Sequence, residues 1–139
     1  MSEADFDPKL DPKLDPNFDP KGTARTGRHG ELLALRAVEA LGWQQWRCNV
    51  PLAAGEADLV CTRQRDGRRQ VLLVEVKTTR GDDERGLGER LGAAQRGRLW
   101  RMAEELAVTL GASEIQVTVA LVAIGSQRHS VTLSELEAF

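Results

Sequence analysis

The run Val71-Leu-Leu-Val-Glu-Val-Lys77 sets a carboxylate and an ammonium two residues apart in otherwise apolar surroundings. Side chains alternate across a strand, so Val71, Leu73, Glu75 and Lys77 are expected on one face and Leu72, Val74 and Val76 on the other. Apolar residues on both faces mark a central strand covered on both sides. A carboxylate at the end of such a strand needs a cation, because burying it unpaired costs several kcal/mol. Lys77 is one candidate and a metal ion is another. A second acid, Asp58, lies in the preceding segment Gly55-Glu-Ala-Asp-Leu-Val60, where Glu56 and Asp58 are expected to share a face. If the two segments form a hairpin, Asp58 and Glu75 converge near one end of a sheet. Two carboxylates and the backbone carbonyl of Val76 are hard oxygen donors that suit Mg²⁺ or Mn²⁺, and such an ion keeps several of its waters. It can activate a water and neutralise charge on a phosphoryl group, while Lys77 holds that water or the oxyanion. Glu31 can add a further carboxylate if its own segment packs over the sheet. The plainer alternative is a salt bridge between Glu75 and Lys77 at a strand end, with Asp58 closing a turn.

The elements around these residues can be read from periodicity. Gly27 to Leu41 carries an apolar stripe of helical spacing (Leu32, Leu35, Val38, Ala40, Leu41), with Gly42 as its stop. Trp43 to Val50 reads as a short strand, with Trp43 in the core. Ala57 to Thr62 and Val71 to Thr78 are clearer strands, joined by a polar hairpin turn at Asp66-Gly67. Arg80 to Gly88 is charged and glycine-bearing, hence a loop. Glu89 to Leu110 is a second helix with Leu91, Leu99, Met102, Leu106 and Leu110 inward, weakened in its first half by Gly92 and Gly97. Ile115 to Ile124 is another strand, and Val131 to Leu133 can pair beside it after a turn at Gly125. The order α-β-β-β-α-β, with one further strand, predicts an α/β fold in which a mixed β-sheet is flanked by helices.

The order and identity of these residues resemble a known family. Asp58 followed by Glu75-Val76-Lys77 is similar to the Asp…(Asp/Glu)-x-Lys signature of the restriction-endonuclease-like superfamily. More narrowly, residues from Gly27 to Phe139 resemble the bacterial YraN-type family, related to Holliday-junction resolvases. Gly27-Arg28-His29-Gly30-Glu31 matches that family's opening Gly-x-x-Gly-Glu. Gly42-Trp43 sits where a Gly-aromatic pair is usual, and Asn49 falls seven residues before Glu56. Gly55-Glu-Ala-Asp-Leu-Val60 and Val74-Glu-Val-Lys77 match two further blocks, and Leu136-Glu-Ala-Phe139 matches the usual ending. The resemblance implies a restriction-endonuclease-like fold and a Mg²⁺- or Mn²⁺-dependent endonuclease acting on DNA, with branched DNA as one candidate form. It makes Asp58 and Glu75 metal ligands, Lys77 the catalytic lysine and Glu31 an assisting helix acid. It also suits a homodimer, since paired strands are cut symmetrically. Cys48, Pro51, Ala53, Gln95 and Thr118 depart from the pattern, mostly by replacing basic residues.

Beyond the site, residues 1–25 form a tail in which Asp-Pro recurs every fourth residue, from Phe6-Asp-Pro-Lys to Phe18-Asp-Pro-Lys. Proline at that spacing bars helix and central strand, which predicts an extended, solvated segment ahead of a domain spanning residues 26–139. Its recurring Phe and Leu make docking to a protein partner a second possibility. Residues 1–22 hold six acids against three lysines, a net of −3, which leaves +1 for the rest of a chain whose total is −2. No overall field advertises nucleic-acid binding, so local arginines must provide it. Arg25 and Arg28 before the first helix, with Arg80 and Arg85 after Lys77, are placed for that task. Arg63, Arg65, Arg68 and Arg69 crowd the hairpin tip and are expected to be solvated there. Cys48 and Cys61 fit no metal or redox spacing and are expected as reduced, core-filling thiols. No apolar run spans a bilayer and no signal-peptide pattern opens the chain, so a cytoplasmic protein without a membrane partner is expected. Two rivals to an enzyme remain: a non-catalytic nucleic-acid-binding or assembly module, and an interaction protein working through its tail.

Overall fold

The computed structural model describes residues 23–80 and 91–138. Helix α1 (Thr23–Glu39) leads into strands β1 (Gln44–Leu52), β2 (Gly55–Arg65) and β3 (Arg68–Arg80). Helix α2 (Ala93–Leu110), β4 (Glu114–Ile124) and β5 (His129–Glu135) follow. This is the expected α-β-β-β-α-β-β order, and the five strands form one sheet in the order β1-β2-β3-β4-β5. Every neighbouring pair is antiparallel except β3 and β4, which are parallel and have α2 between them in sequence. A parallel pair needs such a crossover, and β3 is thereby held at the centre of the sheet.

Several boundaries differ from the sequence expectation for identifiable reasons. Helix α1 begins four residues before Gly27, inside the span assigned to the tail. Thr23 to Thr26 contain no apolar stripe that could have signalled it. Helix α2 begins at Ala93 rather than Glu89, with Gly92 extended at its N-cap. Strands β2 and β3 each run three residues further into their hairpin than apolar alternation shows. Asp66 (φ 54°) and Gly67 (φ 74°) make the tight turn that lets Arg65 face Arg68, so the ladder continues through charged residues. The expected loop from Arg80 to Gly88 lies, beyond Arg80, outside the described residues, as does the tail through residue 22.

Alternation along β3 divides the core as predicted. Leu72 and Val74, with Val76 beside them, pack toward Leu33, Ala34, Leu35 and Val38 of α1. Val71 and Leu73 pack toward Leu99, Met102, Ala103 and Leu106 of α2. The helices therefore cover opposite faces, and each closes its own hydrophobic cluster against the shared sheet. Trp43 is buried in the α1-side cluster, where Gly42 (φ 98°) turns the chain and the Trp43 N–H donates to Val38 O at 3.2 Å. Among the described residues no helix is long and apolar enough to cross a membrane.

Cys61 is fully buried in that cluster, and burial, aided by the charge of Glu39, pushes its thiol up to about 12. Cys48 is half-buried on β1. A thiol that stays protonated is a poor nucleophile. Treating the native protein with iodoacetamide at pH 8 should therefore alkylate Cys48 and spare Cys61 until denaturant is added, a difference read by intact mass.

Candidate active site

The hairpin of β2 and β3 opens where the two acids meet. Paired residues run from Arg65↔Arg68 to Leu59↔Val74, and the ladder stops there. Beyond that point the Val76 N–H donates to Asp58 Oδ2 at 2.8 Å, so a side-chain oxygen takes the place of a backbone carbonyl. N–H and C=O of one strand residue point to the same edge, which directs the Val76 carbonyl into the same fork.

A kink in the neighbouring strand accompanies the fork. Asn49 adopts φ 52°, in the left-handed region. Cys48 and Leu59 are register partners on the α1 side, whereas Val50 and Ala57 are partners on the α2 side. Residues two apart should share a face, so both strands switch faces at Asn49 and Asp58. The expectation that Glu56 and Asp58 share one face is therefore corrected. Glu56 is exposed, while Asp58 turns into the fork. Asparagine tolerates positive φ better than most residues, which accounts for its place at the kink.

Glu75 lies at the fork on the α2 side and is 8% exposed. Its Oε2 is 3.3 Å from Lys77 Nζ and accepts a hydrogen bond from Gln95 Nε2 at 3.2 Å. The Lys77 side chain is 45% exposed, so an ammonium that touches the buried acid also reaches solvent. Asp58 and Glu75 are near enough for a side-chain hydrogen bond. Burial first, and then the charge of Glu75, raise the Asp58 carboxyl to about 7 from its usual 3.8, and the Val76 N–H opposes them. Glu31, on the helix that covers the other face, adds a smaller push in the same direction. The structure thus brings Asp58, Glu75 and Lys77 together, with Glu31 acting on Asp58 from the α1 side.

The donor set can be compared with what metals require. Among the described residues no three or more His, Cys, Asp or Glu side chains form a group that could hold a metal ion. A closed zinc or calcium cage is therefore not what the described residues offer. Two adjoining carboxylates and a carbonyl directed into the same fork do fit Mg²⁺ or Mn²⁺, which is commonly held by one or two carboxylates, waters and a substrate phosphate. The neighbouring charge of Glu75 makes ionising Asp58 costly, and a cation in the fork would relieve that cost.

The expected phosphate contacts are less fully placed. Arg28 lies on α1, three residues before Glu31, and is half-buried. The side chains of Arg25 and Arg80 lie outside what is described, and Arg85 lies outside the described residues altogether. Arg65, Arg68 and Arg69 are exposed at the hairpin tip, as expected, while Arg63, Arg68 and Arg69 also have structural partners. Arg63 donates to Gln70 Oε1 at 2.6 Å and to Leu41 O, and its guanidinium stacks 4.0 Å from the Trp43 ring centroid. Arg69 donates to Leu110 O, and Arg68 is 3.8 Å from Glu114 Oε1. Of the departures from the family pattern, Pro51 and Ala53 are exposed at the end of β1, where the Ala53 N–H donates to Glu105 Oε1 of α2. Gln95, marked in the sequence only as a departure from the family pattern, meets Glu75, a role that a lone amide at the start of a helix does not signal until its partner is known.

Comparison with known proteins bears on identity. A UPF0102 protein of Roseiflexus castenholzii is 29% identical over 122 residues, covering 81% of this chain and 90% of its own. A second UPF0102 protein, from Desulfitobacterium hafniense, is 36% identical over 78 residues, 55% of this chain and 60% of its own. The solved structure of SSO0001 aligns over 84% of this chain and 55% of its own, at 18% identity and a TM-score of 0.31. The family model of UPF0102, described as an uncharacterised protein family, matches residues 30–124, from the glycine before Glu31 to the end of β4. By that match, and in keeping with the YraN-type motifs, the chain belongs to the uncharacterised protein family UPF0102.

Proposed function

We propose that this protein is a Mg²⁺- or Mn²⁺-dependent nuclease that hydrolyses phosphodiester bonds in DNA, with branched or structured DNA as the favoured form by likeness to resolvases. The observation that carries the reading is the half-buried Asp58 and the buried Glu75, set against each other in a fork with Lys77 Nζ 3.3 Å from Glu75 Oε2. Asp58, Glu75 and the Val76 carbonyl would hold the ion, with Glu31 adding negative charge behind Asp58. A bound divalent cation supplies Lewis-acid stabilisation of phosphoryl charge and a more acidic water. Lys77 carries the rest of the chemistry. Its tip contacts the acid yet reaches solvent, so it can orient the attacking water or donate to a phosphate oxygen. An ammonium does this as a mobile point charge, suited to an anion whose position changes during reaction.

A second reading is a non-catalytic nucleic-acid-binding module on the same fold. It is favoured by the exposed, uncharged Pro51 and Ala53 beside the fork, where basic residues would have gripped a phosphate backbone. One experiment separates the two. The full chain is incubated with duplex, single-stranded and four-way-junction DNA, and with RNA, in Mg²⁺, Mn²⁺ or chelator. Cleavage that needs metal and is lost in Glu75→Ala is the expected result. Binding that persists in chelator, with no form cut under any condition, would overturn the enzyme reading and leave the module.

A further inference from the structure

We propose that Gln95 is a positioning residue of this site, whose neutral amide fixes Glu75 without neutralising it and so keeps the charge of the acidic pair available to a divalent cation. The inference rests on the metal-dependent reading above. Gln95 occupies the first turn of α2, and four residues later Leu99 is fully buried against the sheet. That spacing aims Gln95 down the same helix face, toward the α2 side of β3. Its Nε2 donates to Glu75 Oε2 at 3.2 Å, and Lys77 Nζ approaches the same oxygen at 3.3 Å. Two donors on Oε2 pin the carboxylate through one atom. Helix α2 is itself tied to the β1–β2 turn by the bond from Ala53 N–H to Glu105 Oε1, so the amide stands on a braced element.

Charge decides what the amide achieves. With both acids ionised, Asp58, Glu75 and Lys77 sum to −1, and Glu31 adds to the negative field. A cation at position 95 would bring that trio to zero and weaken its pull on a divalent ion. An apolar residue would leave the charge but release Glu75 to rotate. An amide of this length avoids both losses, and groups that orient a metal ligand typically matter 10–100-fold in affinity.

The test titrates the full chain with MnCl₂ by calorimetry at fixed pH and ionic strength, for wild type, Gln95→Leu and Gln95→Lys. Melting temperatures of each in chelator are measured alongside. Both variants should bind Mn²⁺ about tenfold more weakly than wild type. Without metal, Gln95→Lys should melt above wild type, because its ammonium pairs with the acids, whereas Gln95→Leu should not. Stability and metal affinity moving in opposite directions in one variant is a signature that a merely structural glutamine would not give. Variants that bind Mn²⁺ within twofold of wild type would overturn the role of Gln95 while leaving the metal reading intact. Wild type that binds no Mn²⁺ would overturn the metal reading, and this inference with it.

Discussion

Asp58→Asn should yield a protein that is more stable at pH 8 without metal and that no longer cuts DNA. The folded Asp58 carboxyl titrates at about 7 against 3.8 for an ordinary aspartate, with burial as the main cause and Glu75 next. A raised carboxyl pKa means the fold prefers the protonated form. Below about pH 4 the group is protonated in folded and unfolded chains alike, and no penalty exists. From pH 4 to 7 the unfolded chain ionises while the folded one resists, so wild-type stability falls, and above 7 the loss is constant. Three units at 1.36 kcal/mol each set a ceiling of about 4 kcal/mol, which solvent screening of this partly exposed group lowers to about 2 kcal/mol. Asparagine never ionises, and its Oδ1 can still accept from Val76 N–H while its amide donates to Glu75. Thermal melts from pH 4 to 9 should therefore coincide at the acid end and separate by roughly 8 °C at pH 8. Mn²⁺ should raise the wild-type melting temperature and leave the variant unmoved. On the proposed reading, losing one of the two carboxylates offered to the ion should lower cleavage a thousandfold or more, since metal stabilisation contributes several kcal/mol to such transition states. A variant less stable than wild type at pH 8 would make Asp58 a structural strut for the fork, and full cleavage by it would remove Asp58 from the site.

Element order and the central acidic strand were legible because one physical pattern governs both. A strand with apolar residues on both faces has to be central, and an acid at its end has to find a cation, which led directly to Glu75, Lys77 and the upstream Asp58. The kink was not legible. Strict alternation placed Asp58 on a face with Glu56, whereas the positive φ of Asn49 and the face switch at both strands turn it into the sheet plane. Backbone conformation at one asparagine leaves no periodic trace. The fate of the hairpin arginines was hidden for another reason. Arg63 and Arg69 are consumed by partners from the α1–β1 turn and the end of α2, contacts 22 and 41 residues away in sequence. The contact that Gln95 makes was hidden in the same way, its partner being 20 residues distant. Local pattern reports which residues are costly to bury; it does not report which distant group satisfies them.

Gly30→Ala should cost about 2 kcal/mol and Thr78→Ala should restore at least half of it. In an isolated helix the same change would add about 1 kcal/mol of stability, because alanine is the better helix former. Here α1 crosses β3 so closely that a Cβ at Gly30 would collide with Thr78 Oγ1. Thr78 Cβ and Cγ2 lie 3.0 Å from the same point, so rotating the threonine does not clear the space. Overpacking of this kind typically costs 1–3 kcal/mol, enough to reverse the sign of the helix term. Truncating Thr78 removes two of the three obstructing atoms, and does so cheaply, because its buried Oγ1 makes no hydrogen bond within the described residues. Chemical denaturation of wild type, both single variants and the double variant should give a coupling energy of about 1 kcal/mol or more. The same contact matters to the site, because Glu31 is the next residue and reaches Asp58 only while α1 lies this close to the sheet. Lifting the helix should thus weaken cleavage in Gly30→Ala and return it in the double variant. A Gly30→Ala protein as stable and active as wild type, or a loss that Thr78→Ala leaves untouched, would mean the close crossing does not set the position of Glu31.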